Sequence, residues 1–164
     1  MPPSLAADAF ADTDEAFLRE AVAEARLAEL SGEVPVGAII VREGEIIARG
    51  RNRVITDSDP TAHAEIVALR AAGLALGNYR LEGCDLYATL EPCAMCAGAI
   101  LHARIRRLIY AAPDPKAGAC GSALEVLNHP LLNHRVEVTR DLLAEECGTM
   151  LSTFFRARRT RPTS

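Results

Sequence analysis

Two stretches decide the reading of this chain: Thr89-Leu90-Glu91-Pro92-Cys93-Ala94-Met95-Cys96 and, upstream, Pro60-Thr61-Ala62-His63-Ala64-Glu65. Together they offer one imidazole, two thiols and one uncommitted carboxylate. Cysteines at i and i+3 share one face of a helical turn. Pro92 suits a helix beginning near Cys93, where a missing backbone donor costs nothing. The positive end of a helix favours thiolate over thiol. Cys93 and Cys96 are therefore expected to be anions pointing the same way, an arrangement suited to a zinc ion. His63 is the expected third ligand. Glu65 lies two residues on, roughly 200° around a helix, so it need not bind the metal that His63 binds. Three protein ligands leave a fourth tetrahedral position open, which marks a catalytic site. Two thiolates and a neutral imidazole cancel the formal charge of Zn²⁺. A water there is acidified less than at an all-histidine site, where its pKa is about 7. A neighbouring base is then more necessary, and Glu65 is the candidate.

The chain has 164 residues, 49% of them hydrophobic, which suits one globular domain, placed here at residues 12–161. Residues 1–11 are expected to be disordered. No run of 18 apolar residues suggests a membrane span, and Met1 to Asp8 lacks the basic start of a signal peptide. Five cysteines, an odd number without framework spacing, point to a reducing cytoplasm. Cys84, Cys120 and Cys147 read as small buried hydrophobes. The net charge of −4 is not the global balance of a nucleic-acid binder. The distribution is uneven, however. Acids crowd the first third, from Asp12 to Glu33, while Phe154-Phe155-Arg156-Ala157-Arg158-Arg159-Thr160-Arg161 is basic, so a local positive face is compatible with the total. Lys116 is the only lysine.

Periodicity predicts a helix from Asp12 or Thr13 to Leu30, ended by Ser31-Gly32. A β-hairpin follows, Val36–Val41 and Glu45–Gly50 around Arg42-Glu43-Gly44. Thr61–Ala72 reads as a helix stopped by Gly73, with His63 and Glu65 in its first turn. Leu86–Leu90 is a strand, Cys93–Ala103 a helix of small residues and Arg107–Tyr110 a strand. An irregular segment runs from Ala111 to Asn133. A short strand, Arg135–Val138, precedes a last helix from Asp141 to Phe155 or Arg159. Interleaved helices and strands imply a layered α/β domain with helices on both faces. Helix N-termini collect at the carboxyl ends of strands in such folds, which lets segments thirty residues apart meet at one ion.

The pairing of H-x-E with P-C-x-x-C is the pattern of zinc nucleobase deaminases. From about Phe17 to Arg159 the chain resembles the tRNA-specific adenosine deaminases of bacteria, the TadA family, within the cytidine deaminase-like fold. The resemblance rests on Pro35-Val36-Gly37-Ala38, Asn52, Asp59 to Glu65, Asn78-Tyr79-Arg80-Leu81, Thr89 to Ala99, Asn133-His134-Arg135-Val136 and the terminal Phe154 to Arg159. It implies a three-layer α/β/α fold around a mixed five-stranded sheet. It also implies a homodimer and conversion of adenosine to inosine at wobble position 34 of an arginine tRNA, engaged through its anticodon stem-loop. His63, Cys93 and Cys96 would hold one zinc per subunit, with no organic cofactor, and Glu65 would shuttle protons. Asn52 would hydrogen-bond the flipped base, able to offer both a donor and an acceptor. Val36, Ala62, Asp114 and Lys116 would contribute to the substrate site, and Arg158 and Arg159 would meet phosphates. The family usually reads Gly-Ala-x-Asp-x-Lys where this chain has Ala111-Ala112-Pro113-Asp114-Pro115-Lys116, whose two prolines stiffen the loop.

Two other readings use the same residues. One is a deaminase of a free base or nucleoside, such as guanine or cytosine. The other is a non-enzymatic zinc module closed by a fourth ligand such as Cys84 or Cys120. His102, His129 and His134 read as surface or loop histidines, and Glu33 and Glu91 as helix-end or loop acids.

Overall fold

The structure, a computed structural model, describes residues 5–160, so residues 1–4 of the expected disordered segment, and Arg161, lie outside the described residues. The elements in chain order are α1 (Leu5–Leu30), β1 (Gly37–Arg42), β2 (Glu45–Arg51), α2 (Ala64–Leu76), β3 (Cys84–Leu90), α3 (Ala94–Ala103), β4 (Arg107–Ala112), β5 (Glu137–Thr139) and α4 (Ala144–Arg159). They form a five-stranded sheet ordered β2-β1-β3-β4-β5. β1 is antiparallel to β2 and β3, whereas β3, β4 and β5 run parallel, so the sheet is mixed, as expected.

Alternation along the strands builds the three layers, because successive side chains point to opposite faces. Ala38, Ile40, Leu86, Ala88, Leu108 and Tyr110 pack with Ala64, Ala68 and Ala72 of α2 and with Ala97 and Ile100 of α3. Their neighbours Ile39, Val41, Tyr87, Ile109 and Ala111 face the other way, against Leu18, Ala21 and Val22 of α1 and Cys147 of α4. Charge reinforces the second layer. Buried Asp14 of α1 accepts the Tyr87 hydroxyl at 2.7 Å and an Arg107 guanidinium N–H at 2.8 Å. Asp85 takes Arg106 through two parallel bonds of 3.0 and 2.9 Å.

Several boundaries differ from the sequence reading, each for a local reason. α1 begins at Leu5 rather than at Asp12 or Thr13; the Leu- and Ala-rich start, read as disordered, is made of strong helix formers. α2 begins three residues later than expected, at Ala64, and runs through Gly73 to Leu76. Its stop is Gly77, left-handed at φ 63°, with the Gly77 and Asn78 N–H groups bonding back to the Leu74 and Gly73 carbonyls. β5 is shifted to Glu137–Thr139, and β3 and β4 are longer than expected. α4 starts at Ala144, not Asp141, because Asp141 and Leu143 adopt φ of 70° and 56°, outside the helical region. The hairpin between β1 and β2 turns through Glu43 and Gly44, both at positive φ, as a tight two-residue turn demands.

Two glycines let helices touch the sheet. A Cβ on Gly37 would lie 2.0 Å from the Ala21 carbonyl oxygen of α1, and one on Gly50 would lie 2.3 Å from the Ala64 oxygen and 2.5 Å from the Ala68 nitrogen of α2. In both cases the obstacle is backbone, which has no rotamer to change. Gly50→Ala is expected to lower stability by about 1–3 kcal/mol, as overpacking of a tight contact does. Because α2 begins next to His63, the same variant should also hold zinc less tightly. Denaturant unfolding and a zinc titration read the two effects.

Candidate active site

The topology places the two motifs at one edge. β2 ends where β1 starts, with Gly37 opposite Arg51, and the start of β1 lies beside the end of β3, with Ala38 opposite Ala88. The chain leaving β2 through Asn52 and the chain leaving β3 through Glu91 therefore emerge side by side. Hydrogen bonds stitch this edge: Gly37 N–H to Thr89 Oγ1 at 3.1 Å, Asn52 N–H to the Val36 carbonyl at 3.2 Å and Arg53 N–H to the Ala62 carbonyl at 2.9 Å.

His63 and Cys93 occupy the same kind of position. Each is the N-cap residue of its helix, extended at φ −69° and −76°, and neither side chain caps its own helix. The imidazole and thiol are turned instead toward each other. His63 Nδ1 lies 3.6 Å from Cys93 Sγ and 3.6 Å from Cys96 Sγ. Tetrahedral zinc with bonds of about 2.0 Å to nitrogen and about 2.3 Å to sulfur separates those ligand atoms by about 3.6 Å. The donor set and its spacing fit zinc, and His63, Cys93 and Cys96 would hold it. Among the described residues these three alone form such a group, so neither Cys84 nor Cys120 closes the site. The Cys120 thiol points to the Pro92 carbonyl. Pro92 precedes the N-cap of α3 rather than occupying its first turn, one place earlier than expected.

Glu65 sits in the first turn of α2 and is 4% exposed. Burial pushes its carboxyl above the ordinary carboxylate value, opposed by a hydrogen bond from Cys96, its own N–H and the charge on His63. The ligands share protons. Cys93 is held down to about 3, first by a hydrogen bond from Cys96 and then by one from His63. Cys96 is the partner that keeps its proton and is raised, by its bond to the Cys93 thiolate and by burial. His63 is raised above the ordinary imidazole value, chiefly by its bond to Cys93.

The other expected site residues lie around this centre. Asn52 Oδ1 accepts the Ala64 N–H at 2.8 Å, so the amide oxygen is engaged at the start of α2 and the Nδ2 group is the part left for a ligand. Val36 and Ala62 are buried beside it. Asp114 accepts the N–H groups of Lys116 and Ala117, both at 3.1 Å, and so shapes its own loop, while the Lys116 side chain is exposed. Arg158 is committed to the Gly32 carbonyl at 2.6 Å and stacks 4.8 Å from the Phe154 ring; Arg159 is exposed. Glu33 and Glu91 exceed the role of loop acids. Glu33, 2% exposed, accepts the N–H groups of Ile55 and Thr56 at 2.7 and 2.8 Å, fixing the loop that leads to His63. Neither acid has a sequence neighbour that would have betrayed these partners, which lie more than twenty residues away.

A fold of this kind carrying a histidine, a cysteine pair and a buried acid defines a zinc-dependent deaminase. Residues 11–112 match the cytidine and deoxycytidylate deaminase zinc-binding region. A tRNA-specific adenosine deaminase of Haemophilus influenzae is 52% identical over 155 residues, covering 94% of this chain and 90% of that protein. A structure from work on A-to-I editing by tRNA:A34 deaminases at the wobble position of transfer RNA superposes with a TM-score of 0.80 at 49% identity, covering 82% of this chain and 98% of the other. A guanine deaminase from Bacillus subtilis is more distant, at 38% identity and a TM-score of 0.60, covering 92% and 96%. The chain belongs to the cytidine and deoxycytidylate deaminase family and, within it, to the tRNA-specific adenosine deaminases.

Ligand protons and metal compete. Because the pKa values of His63 and Cys96 are raised, each holds its proton to a higher pH than usual in the metal-free protein, and each must give that proton up to bind zinc. Zinc affinity should therefore rise with pH and fall on acidification, with protons released on uptake. Calorimetry in buffers of different ionisation enthalpy, together with a zinc-dye assay across pH, checks both signs. Cys93→Ala should hold no stoichiometric zinc.

Proposed function

We propose that the protein hydrolyses adenosine to inosine at wobble position 34 of an arginine tRNA, working as a homodimer in the cytoplasm. The observation that carries the chemistry is the trio of ligand atoms at zinc spacing with Glu65 buried beside it and not among the ligands. The RNA substrate is supported by relatives near half identity over nearly the whole chain. Zinc held by His63, Cys93 and Cys96 would supply Lewis-acid activation of the attacking water. Glu65 takes a proton from that water as it adds to C6 of adenine. It then delivers protons to N1 and to the departing amine, so that water and adenosine leave as inosine and ammonia. A raised carboxyl pKa suits a group that must both accept and donate. Asn52 presents Nδ2 as a donor to an acceptor on the base edge. The base reaches the pocket most cheaply from a single-stranded loop, where little stacking is lost.

An apolar groove between α2 and α3, lined by Ile66, Leu69, Leu81 and Ala99, supports a second copy packing there, with exposed Tyr79 at its rim. Free thiols at all five cysteines suit a reducing compartment. Among the described residues no helix is long and apolar enough to cross a membrane. Arg158 is engaged by the Gly32 carbonyl, so of the pair Arg158 and Arg159 the exposed Arg159 is the one we assign to phosphate.

Glu65→Ala should keep one zinc per chain and a cooperative melt while losing about 10²–10⁴-fold in rate, the range for a removed general acid-base group. Because the Glu65 carboxyl is raised, wild-type kcat/KM should fall as pH drops through that raised value, above the ordinary carboxylate range. Inosine mapping after incubation with total tRNA, beside assays on free guanine, cytosine and adenosine, tests the substrate. Turnover of a free base with untouched tRNA would overturn the reading. Arg159→Glu should weaken RNA binding and reduce its salt slope by about 0.7 for each phosphate it no longer neutralises; binding isotherms at several salt concentrations measure it.

A further inference from the structure

Glu91 precedes the ligand turn Pro92-Cys93 and is 2% exposed, yet no arginine or lysine lies within salt-bridge reach of its carboxylate among the described residues. Its partners come from a single segment. Oε1 accepts the Asp114 N–H at 3.1 Å and the Ser122 hydroxyl, and Oε2 accepts the N–H groups of Cys120 at 3.0 Å and Ser122 at 3.1 Å. The segment is also pinned to the ligand turn itself. Ala119 N–H bonds to the Pro92 carbonyl at 2.9 Å, and Gly118 pairs with Cys93 as an isolated bridge. Gly118 is required by the same carboxylate, since a Cβ there would lie 2.4 Å from Glu91 Cδ. The 113–122 loop is thus wrapped around Glu91, with its back against Cys93 and its front, Asp114 to Lys116, turned outward.

We infer that Glu91 is a positioning residue for the substrate: by gathering the N–H groups of Asp114, Cys120 and Ser122 it holds the 113–122 loop at a fixed height over Cys93, where the loop meets RNA. This role rests on the deaminase reading above. It differs from simple loop support in what it makes depend on Glu91, namely the fit of the substrate and not the presence of the metal.

The chain supplies its own probe. Lys116 is the only lysine, so a lysine-specific endoproteinase can cut the described chain at this loop alone. Glu91→Gln is the informative change. An amide nitrogen in place of Oε1 can donate to the Ser122 hydroxyl but opposes the Asp114 N–H, so the front of the loop is released while the back stays tied. Ser122→Ala removes one donor and keeps the charge, and serves if the first variant does not fold. Cutting after Lys116 should be slowest in wild type, faster in Ser122→Ala and fastest in Glu91→Gln. KM for an anticodon stem-loop RNA should rise in the same order, by about tenfold or more for Glu91→Gln, as misplaced contacts cost. That loss should fall on KM rather than kcat, with zinc still at one per chain. Wild-type cutting rates in the folded variants, or faster cutting with unchanged KM, would overturn the role. If the wild-type protein leaves the RNA unchanged, the proposed function falls. The cutting order, a property of the loop, still decides whether Glu91 holds it.

Discussion

One imidazole nitrogen must be held 3.6 Å from each of two sulfurs on a segment thirty residues away, and that requirement organises the molecule. A soft divalent ion accepts little error in ligand placement, so the backbone has to deliver the side chains already aimed. The chain meets this with one device used twice. An N-cap residue is extended, its direction fixed by the first helical turn that follows, and its side chain is normally spent on capping. His63 and Cys93 spend theirs on the metal instead. The N–H at the start of α2 is then taken by Asn52, a residue from the end of β2. Asn52 thereby ties the end of β2 to the metal site, since its amide oxygen seats the helix that begins at His63 and carries Glu65.

Placement of the caps depends in turn on how closely the helices lie on the sheet. At Gly37 and Gly50 the missing Cβ lets the backbones of α1 and α2 lie directly on the sheet. On the far side the Asp14–Tyr87–Arg107 cluster fixes α1. Its ionic bonds are largely shielded from water, where truncating one partner leaves the other buried and unpaired. The layer remote from the chemistry is therefore held by charge and packing, whereas the layer that carries the ligands is held mainly by small side chains.

The sequence was most informative where chemistry and periodicity coincide. His63, Glu65, Cys93 and Cys96 could be read together because metal ligation demands particular residue types at short spacing, and the apolar run from Val36 to Val41 announced the first strand of the hairpin. It was least informative at boundaries that tertiary contacts decide. Gly73 looks like a helix stop, yet the left-handed residue is Gly77. Asp141 looks like a cap, yet it precedes the helix at positive φ. The work of Glu33 and Glu91 was hidden because a buried acid satisfied by distant backbone N–H groups has no local pattern. The engaged oxygen of Asn52 is hidden for the same reason.

These two acids have a consequence for handling by ionic strength. Burial pushes the Glu91 carboxyl up, but the Ser122 hydroxyl and the N–H groups of Asp114, Cys120 and Ser122 outweigh it and hold it below the ordinary carboxylate value. Glu33 is likewise bound by amides and a hydroxyl, with no arginine or lysine in salt-bridge reach among the described residues. Mobile ions screen exposed charges strongly and buried dipoles little. On the proposed function, concentrated electrolyte should strip RNA from the surface while leaving these two loops in shape, so the protein can be washed free of nucleic acid without loosening them.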